Sequence, residues 1–251
     1  MRNLRIGPAA FSVTDENAAF WDRVASGHWE PATFRAIAQN LTPETTVLDF
    51  GAWIGPVTLF AAAQARQVFS FEPDPVAARQ LRENIACNPA LAPKITVIEK
   101  AVWPEKGTVR LGAKTAQGDS MSSVHHVHSA TSWEVETITP SEIAALPDRG
   151  PVFLKIDVEG AEYSIVPQIA KLAARTDLTA LVSFHPRFAA GGHPRFHKTF
   201  PMTKRVFEVF RGYKVWRVHH KSITRAVLPE LLLNLGMPYF EAKTTYLFKR
   251  G

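Results

Sequence analysis

Short apolar runs recur along this chain, separated by segments in which apolar positions return every three to four residues. The runs Val47 to Phe50, Val68 to Phe71, Ile95 to Glu99, Val152 to Ile156, Leu178 to Phe184, Tyr213 to Val218 and Thr244 to Lys249 read as strands. Helical periodicity fits Pro31 to Gln39, Val57 to Ala65, Val76 to Asn88, Ala161 to Ala174 and Thr203 to Phe210. Helices alternate with the first five strands, which predicts a mostly parallel sheet with helices on both faces. Residues 102–150 interrupt the alternation, with Thr108 to Leu111 and Trp133 to Ile138 as added strands around a polar loop.

Within this pattern the stretch from Thr46 to Asp74 carries the most chemistry: strand, glycine turn, helix, strand, acid. Gly51 and Gly55 let backbone approach a ligand, the following helix offers free N–H groups, and Glu72 ends the second strand where it can accept from a ribose diol. Asp49 and Glu72 fit the interval of about 20 residues typical of adenosine-binding units. The run Asp49-Phe-Gly51-Ala-Trp-Ile-Gly55 lacks the close glycine triplet of a dinucleotide site. An acid before the first glycine repels a pyrophosphate and suits the ammonium of a methionine moiety, so the ligand read here is S-adenosylmethionine (SAM) rather than NAD. An ordinary βαβ unit with a surface glutamate gives the same pattern.

A second block, Pro151 to Val166, is an apolar strand interrupted by Lys155 and followed by Asp157, Glu159, Gly160 and Glu162. In open α/β sheets the carboxyl ends of the strands form the ligand crevice, which places these acids beside Gly51 and Glu72. Glu159 and Glu162 also suit plain first-turn acids facing the helix dipole. His185 ends the fifth strand and is a second candidate base, since histidine titrates near neutrality. Methyl transfer from a sulfonium needs alignment and removal of the acceptor proton, and Asp157, His185 and Glu159 are the residues placed to serve it.

Together the blocks VLDFGAWIG (Val47 to Gly55), FEPDP (Phe71 to Pro75), KAVW and GTVRL (Lys100 to Trp103, Gly107 to Leu111), VETIT (Val135 to Thr139) and FLKIDVEGAE (Phe153 to Glu162) resemble the FkbM family of SAM-dependent methyltransferases. The resemblance implies a class I methyltransferase Rossmann-like fold of seven strands, with the last strand antiparallel at the sheet's end. It also implies methylation of hydroxyl groups on sugars or natural products, so the expected partner is a small-molecule hydroxyl acceptor. The expected cofactor contacts are Asp49, Gly51, Ala52, Gly55, Glu72, Pro73, Ala101, Asp119 and Asp157. Residues 1–45 are expected as a helical cap over the cofactor cleft, and 46–251 as the catalytic domain with 102–150 inserted. His28, Trp29 and Glu30 fall where such a cap reaches the cofactor; Trp29 or Trp53 facing the sulfonium is weighed against core packing, which is preferred for Trp53.

Two departures bear on mechanism. Related macrolide-sugar O-methyltransferases resemble this chain at Asp157 but carry an Asp-Asp pair after the next strand that helps hold magnesium; here that place reads Ser183-Phe184-His185. A metal-free base is therefore favoured over Mg²⁺ held by Asp157 and Glu159. Lys100 stands where many relatives have an acid for the adenine amino group, leaving Glu99 or the loop near Asp119 as substitutes.

The composition is that of one ordinary domain, with 46% apolar and 21% charged residues among 251. No apolar run approaches the about 18 residues of a membrane span, and the first residues lack a signal-peptide h-region, so a cytoplasmic location is expected. The single cysteine, Cys87, excludes an internal disulfide. A net charge of +6 is concentrated in His185 to Arg205 and Tyr213 to Arg225. An RNA methyltransferase is one alternative that these basic runs leave standing, and a noncatalytic SAM- or nucleotide-binding module is another. Base-amine methylation is disfavoured because Asp157-Val-Glu-Gly replaces the Asn/Asp-Pro-Pro-aromatic turn, and nucleic acid is not the expected partner. His125, His126 and His128 sit in the polar loop, read as solvated rather than metal-binding.

Overall fold

The computed structural model describes all residues except 114, 121, 125–130, 187–195, 220, 235–243 and 251. The histidine loop and much of the first basic run therefore lie outside the described residues.

Residues 1–45 form a hairpin, β1 (Arg2–Ile6) and β2 (Ala9–Val13), followed by α1 (Ala18–Ala25) and α2 (Pro31–Ala38). The central chain runs β3 (Thr46–Phe50), α3 (Pro56–Ala62), β4 (Gln67–Phe71), α4 (Pro75–Ala86) and β5 (Ile95–Ile98). Next come β6 (Ala101–Val102), β7 (Thr108–Gly112), β8 (Ser132–Ile138) and α5 (Pro140–Ile143). The second half holds β9 (Val152–Ile156), α6 (Glu162–Ile165), α7 (Ala170–Ala173), β10 (Leu178–Phe184), α8 (Phe196–Val209), β11 (Tyr213–His219), β12 (Ser222–Arg225), α9 (Val227–Asn234) and β13 (Thr244–Arg250).

Eight of these strands form one sheet in the order β12-β11-β13-β10-β9-β3-β4-β5. The chain winds outward from β3 through β4 to β5, then returns to β9 on the other side of β3 and winds the opposite way to β10. The switch between β3 and β9 opens a crevice at the carboxyl ends of both strands. Parallel pairing sets the register, with Asp49 opposite Ser70 on β4 and opposite Lys155 on β9. Successive residues face opposite sides of the sheet. Leu48 and Leu154 join the core with Phe207, Phe210 and Phe248, while Val47 and Phe153 join the other with Trp21, Phe34 and Phe60.

The fold class is the expected one, with four differences in detail. The last strand is antiparallel, but it lies between β10 and β11 rather than at the sheet's end. The outer position goes to β12, which forms a hairpin with β11 and makes the sheet eight-stranded instead of seven. The single helix expected over Ala161 to Ala174 breaks into α6, a 3₁₀ turn (Val166–Gln168) and α7. Pro167 has no N–H to give to a continuing helix. Finally, residues 1–45 are not purely helical: the hairpin docks on α4 and the turn after it, where Asn88 and Asn84 side chains accept from the Ser12 and Thr14 N–H groups at 2.7 and 2.9 Å.

In the 102–150 stretch, β6, β7 and β8 form a separate three-stranded sheet, and Thr139 with Glu142 makes a capping box at α5. Among the described residues no helix is long and apolar enough to cross a membrane.

Candidate functional site

The crevice is built where β3, β4, β9 and β10 end. After Phe50 the chain turns at Gly51 (φ 75°), and a Cβ there would lie 2.0 Å from the Asp157 carbonyl oxygen. Only glycine lets the β3 and β9 ends come this close. Trp53 follows in the left-handed region (φ 49°), and its N–H donates to Glu72 Oε2 at 2.7 Å. The Asp74 N–H donates to Glu72 Oε1 at 2.9 Å. The Glu72 carboxylate is thus buried and clamped between the glycine turn and the end of β4. Burial pushes its carboxyl up to about 7, against the pull of the Asp74 and Trp53 hydrogen bonds.

Two of the expected cofactor contacts lie elsewhere. Asp49 is buried beneath the turn and lines no described cavity; Thr58 Oγ1 donates to its Oδ2 at 2.7 Å and Lys155 Nζ stands 3.3 Å from its Oδ1. The β3–β9 register dictates this pairing. Gly55 (φ 96°) is the N-cap of α3, and a Cβ on it would meet Leu81 Cδ1 at 2.5 Å, so it serves helix packing and not the cavity wall.

The remaining expected residues converge on two adjoining cavities of about 80 and 420 Å³. Phe71, Glu72, Pro73, Ala101 and Asp119 line the smaller, and Ala52, Lys155 and His185 the larger. Gly51, Trp53, Asp157 and Glu159 line both. Together they fall within the range of ligand clefts. Trp29 and Glu30, from the N-terminal segment, form part of the larger cavity's wall. Trp53 packs against the core as preferred and also borders the cavities: its ring stands edge-on to Phe20 at 4.6 Å, and its indole N–H donates to the Gly118 carbonyl at 2.9 Å.

At the far wall, Asp157 Oδ1 and Glu159 Oε2 each lie 3.7 Å from His185 Nε2. His185 Nδ1 lies 2.8 Å from Glu162 Oε1, and both side chains are buried, 3% and 0% exposed. Glu162 is itself held by the Val158 and Gly160 N–H groups, at 3.2 and 2.9 Å. Burial disfavours the imidazolium, but the Glu162 hydrogen bond and the charges of Asp157, Glu162 and Glu159 outweigh it and push His185 up to about 9. The raised value favours the protonated ring over the free base near neutrality.

Three residues of the site were not singled out by sequence reasoning in the roles they hold. Lys155 donates to the carbonyl oxygens of Gly51 and Phe50 at 2.7 and 3.2 Å, fixing the turn; Asp49 and Asp157 keep it charged against burial. Its signal was visible as the one charge in an otherwise apolar strand. Glu162 orients His185 instead of merely facing a helix dipole. Asp74 caps α4 and also accepts from the Gly118 N–H (2.7 Å) and Ser122 Oγ (2.9 Å), tying the inserted segment to the β4 end. Of the residues considered in place of an acid at Lys100, Glu99 pairs outward with Arg82 at 2.6 Å, while Asp119 lines the smaller cavity.

The methyltransferase FkbM domain family matches residues 49–214. No curated protein matches the chain. Among solved structures, methyltransferase FkbM from Methylobacillus flagellatus is 16% identical with a TM-score of 0.52, over 82% of this chain and 44% of that one. This chain therefore spans less than half the length of that relative. The 23S rRNA methyltransferase ErmE (17% identical, TM-score 0.41, 87% and 67% covered) is also similar. So is a methyltransferase from Streptococcus mutans in complex with SAH (9% identical, TM-score 0.44, 86% and 95% covered). At these identities the likeness is one of fold alone.

Proposed function

Because this chain belongs to the FkbM methyltransferase family, we propose that it is a SAM-dependent methyltransferase that methylates a hydroxyl group on a small acceptor, a sugar or secondary metabolite. The observation that carries this reading is the pair of adjoining cavities with Asp157 and Glu159 at their junction. In this reading the smaller cavity takes adenosine, with Glu72 accepting from the ribose hydroxyls and Asp119 facing the adenine. Gly51 and Ala52 lie along the methionine chain, and the larger cavity receives the acceptor beneath the wall made by Trp29 and Glu30. Residues 1–45 then act as a cap on the catalytic domain 46–251, and the 102–150 segment closes the adenosine side.

The reaction asks little of the protein beyond alignment and proton removal. A lone pair of the acceptor oxygen forms the new O–CH₃ bond, and the S–CH₃ bond breaks with its electron pair left on sulfur, giving the demethylated product. The hydroxyl proton goes to Asp157, a partly exposed carboxylate at the cavity junction. His185 supplies charge and orientation to that carboxylate, and Mg²⁺ is not required by this scheme.

The test is transfer of a labelled methyl group from SAM to pooled small hydroxyl compounds, with RNA as a parallel substrate. Label is expected in a methyl ether of a small compound. Label in RNA would replace this reading with an RNA methyltransferase, and label in neither, with SAM still bound, would favour a binding module.

A further inference from the structure

We propose that a third cavity, under the N-terminal hairpin, binds an apolar group the size of a short alkyl chain or a single aromatic ring, carried as the tail of the methyl acceptor. Binding there stands on the cavity alone, whereas its use by an acceptor rests on the proposed methyl transfer.

The cavity measures about 200 Å³ and lies between the β1–β2 turn, α1, α2 and α3. Ile6, Val24, Phe34, Ala38 and Phe60 line it together with Trp29. Among its lining residues Arg35 alone is charged, and Nη2 of that side chain donates to the Lys221 carbonyl in the β11–β12 turn at 2.6 Å. The guanidinium is thus engaged outside the apolar wall, and the stem adds methylenes to it. Water is held poorly in such a space, because a buried water needs about two to four polar partners. An apolar cavity of about 150 Å³ takes up benzene, so this volume suits a slightly larger group. A Cβ on Gly7 or Gly27, which also line the cavity, would meet nothing within 4 Å, so the chain leaves the space beside both residues open.

Trp29 connects this cavity with the cleft that carries Asp157, since it lines both the apolar cavity and the larger of the two cleft cavities. Its ring lies 5.6 Å from Phe34, on the apolar side, and 5.1 Å edge-on from Phe20, on the cleft side. A row of three aromatic rings therefore divides the two spaces. Their walls differ in chemistry. The larger cavity presents Arg23, Glu30, Lys155, Asp157 and Glu159, which suit a polar, hydroxyl-bearing head, while the apolar cavity offers almost nothing to hydrogen-bond. One occupant satisfies both: an amphipathic acceptor with its hydroxyl at Asp157 and its tail past Trp29. A wholly polar acceptor would forgo the apolar surface, where each buried methylene raises affinity about fourfold.

The experiment is titration of the full chain with ω-bromohexanol, whose bromine quenches a tryptophan it touches, followed by fluorescence with plain hexanol as competitor. Saturable quenching that hexanol reverses is expected in the wild type, and Trp29→Phe should remove most of it. Butanol, pentanol and hexanol should compete about fourfold more strongly with each added methylene. Ala38→Phe, which fills the apolar cavity and leaves the cleft untouched, should weaken binding about tenfold or more. The wild-type titration needs no variant to fold, and quenching that does not saturate up to about 10 mM would overturn the site. In the labelled-methyl screen Ala38→Phe should lower transfer to acceptors bearing an alkyl or aryl group about tenfold or more, with SAM affinity unchanged. Equal transfer by both proteins would overturn the assignment to the acceptor, and a wild-type dimer that Ala38→Phe splits would give the cavity to a second copy instead. Saturable quenching with no label in any compound would uphold the apolar site and count against the methyl-transfer reading, so the two failures are separable.

Discussion

Glu162 and His185, 23 residues apart in sequence, meet at 2.8 Å through Oε1 and Nδ1 in the buried wall of the cleft. The contact joins the first turn of α6 to the tip of β10, so the loop carrying Asp157 and Glu159 is locked to the neighbouring strand. Glu162 accepts from His185, Val158 and Gly160 together. Glu162→Gln weakens charge-assisted bonds in a buried place and is expected to lower unfolding free energy by about 1.5 to 3 kcal/mol. Urea denaturation followed by tryptophan fluorescence measures this; a loss below about 0.5 kcal/mol would mean the contact is not a structural lock.

Asp74 joins three parts of the molecule: it caps α4, and it holds Gly118 and Ser122 of the inserted segment. Asp74→Ala is expected to destabilise by about 2 to 4 kcal/mol through the lost cap and two lost charge-assisted bonds. Hydrogen exchange should show the amides of 115–120 and 122–124 opening more readily than those of β3 and β9. Unchanged protection in that segment would contradict the tie.

In the proposed reading Glu72 is expected to make cofactor affinity pH-dependent. Its carboxyl, raised to about 7 from 4.5, holds a proton in the folded protein where an unfolded chain has lost it. Its contribution to stability is therefore most favourable below about 4.5, declines as pH rises, and reaches its full cost above 7. Binding runs the other way: ribose hydroxyls donate best to the charged form, so SAM affinity is expected to fall as pH drops through 7. Glu72→Gln should flatten that profile in calorimetric titrations. A wild-type affinity independent of pH between 6 and 8 would remove Glu72 from the ribose contact.

In the proposed reading Asp157, which lines both cavities, takes the acceptor proton, and Asp157→Asn keeps its shape while removing its basicity. Turnover is expected to fall by about a hundredfold or more with little change in SAM affinity. Near-normal turnover would exclude Asp157 from the proton step.

Much of the site could be read from the chain because it is encoded locally. Gly51, Glu72 and Asp157 each end a strand, and strand ends in a doubly wound sheet fall in one crevice. What the sequence concealed depends on register and on side-chain direction. Asp49 points beneath the turn because β9 places Lys155 opposite it, and no local pattern announces that pairing. Gly55 looks like a ligand glycine until Leu81, on another helix, is seen to occupy the space of its missing Cβ. Glu162 carries the ordinary signature of a helix-start acid, and its role appears only when β10 delivers His185 beside it. The insertion of β13 inside the sheet, rather than at its end, is likewise a long-range pairing that apolar alternation does not specify.

The measurement closest to the central claim is calorimetric binding of SAM and its demethylated product to the wild-type chain and to Glu72→Ala. The account predicts one site per chain, weakened about ten- to a hundredfold in the variant, equivalent to roughly 1.5 to 3 kcal/mol, with Asp157→Asn close to wild type. Wild-type affinity in a folded Glu72→Ala protein would contradict the placement of the cofactor in this cleft.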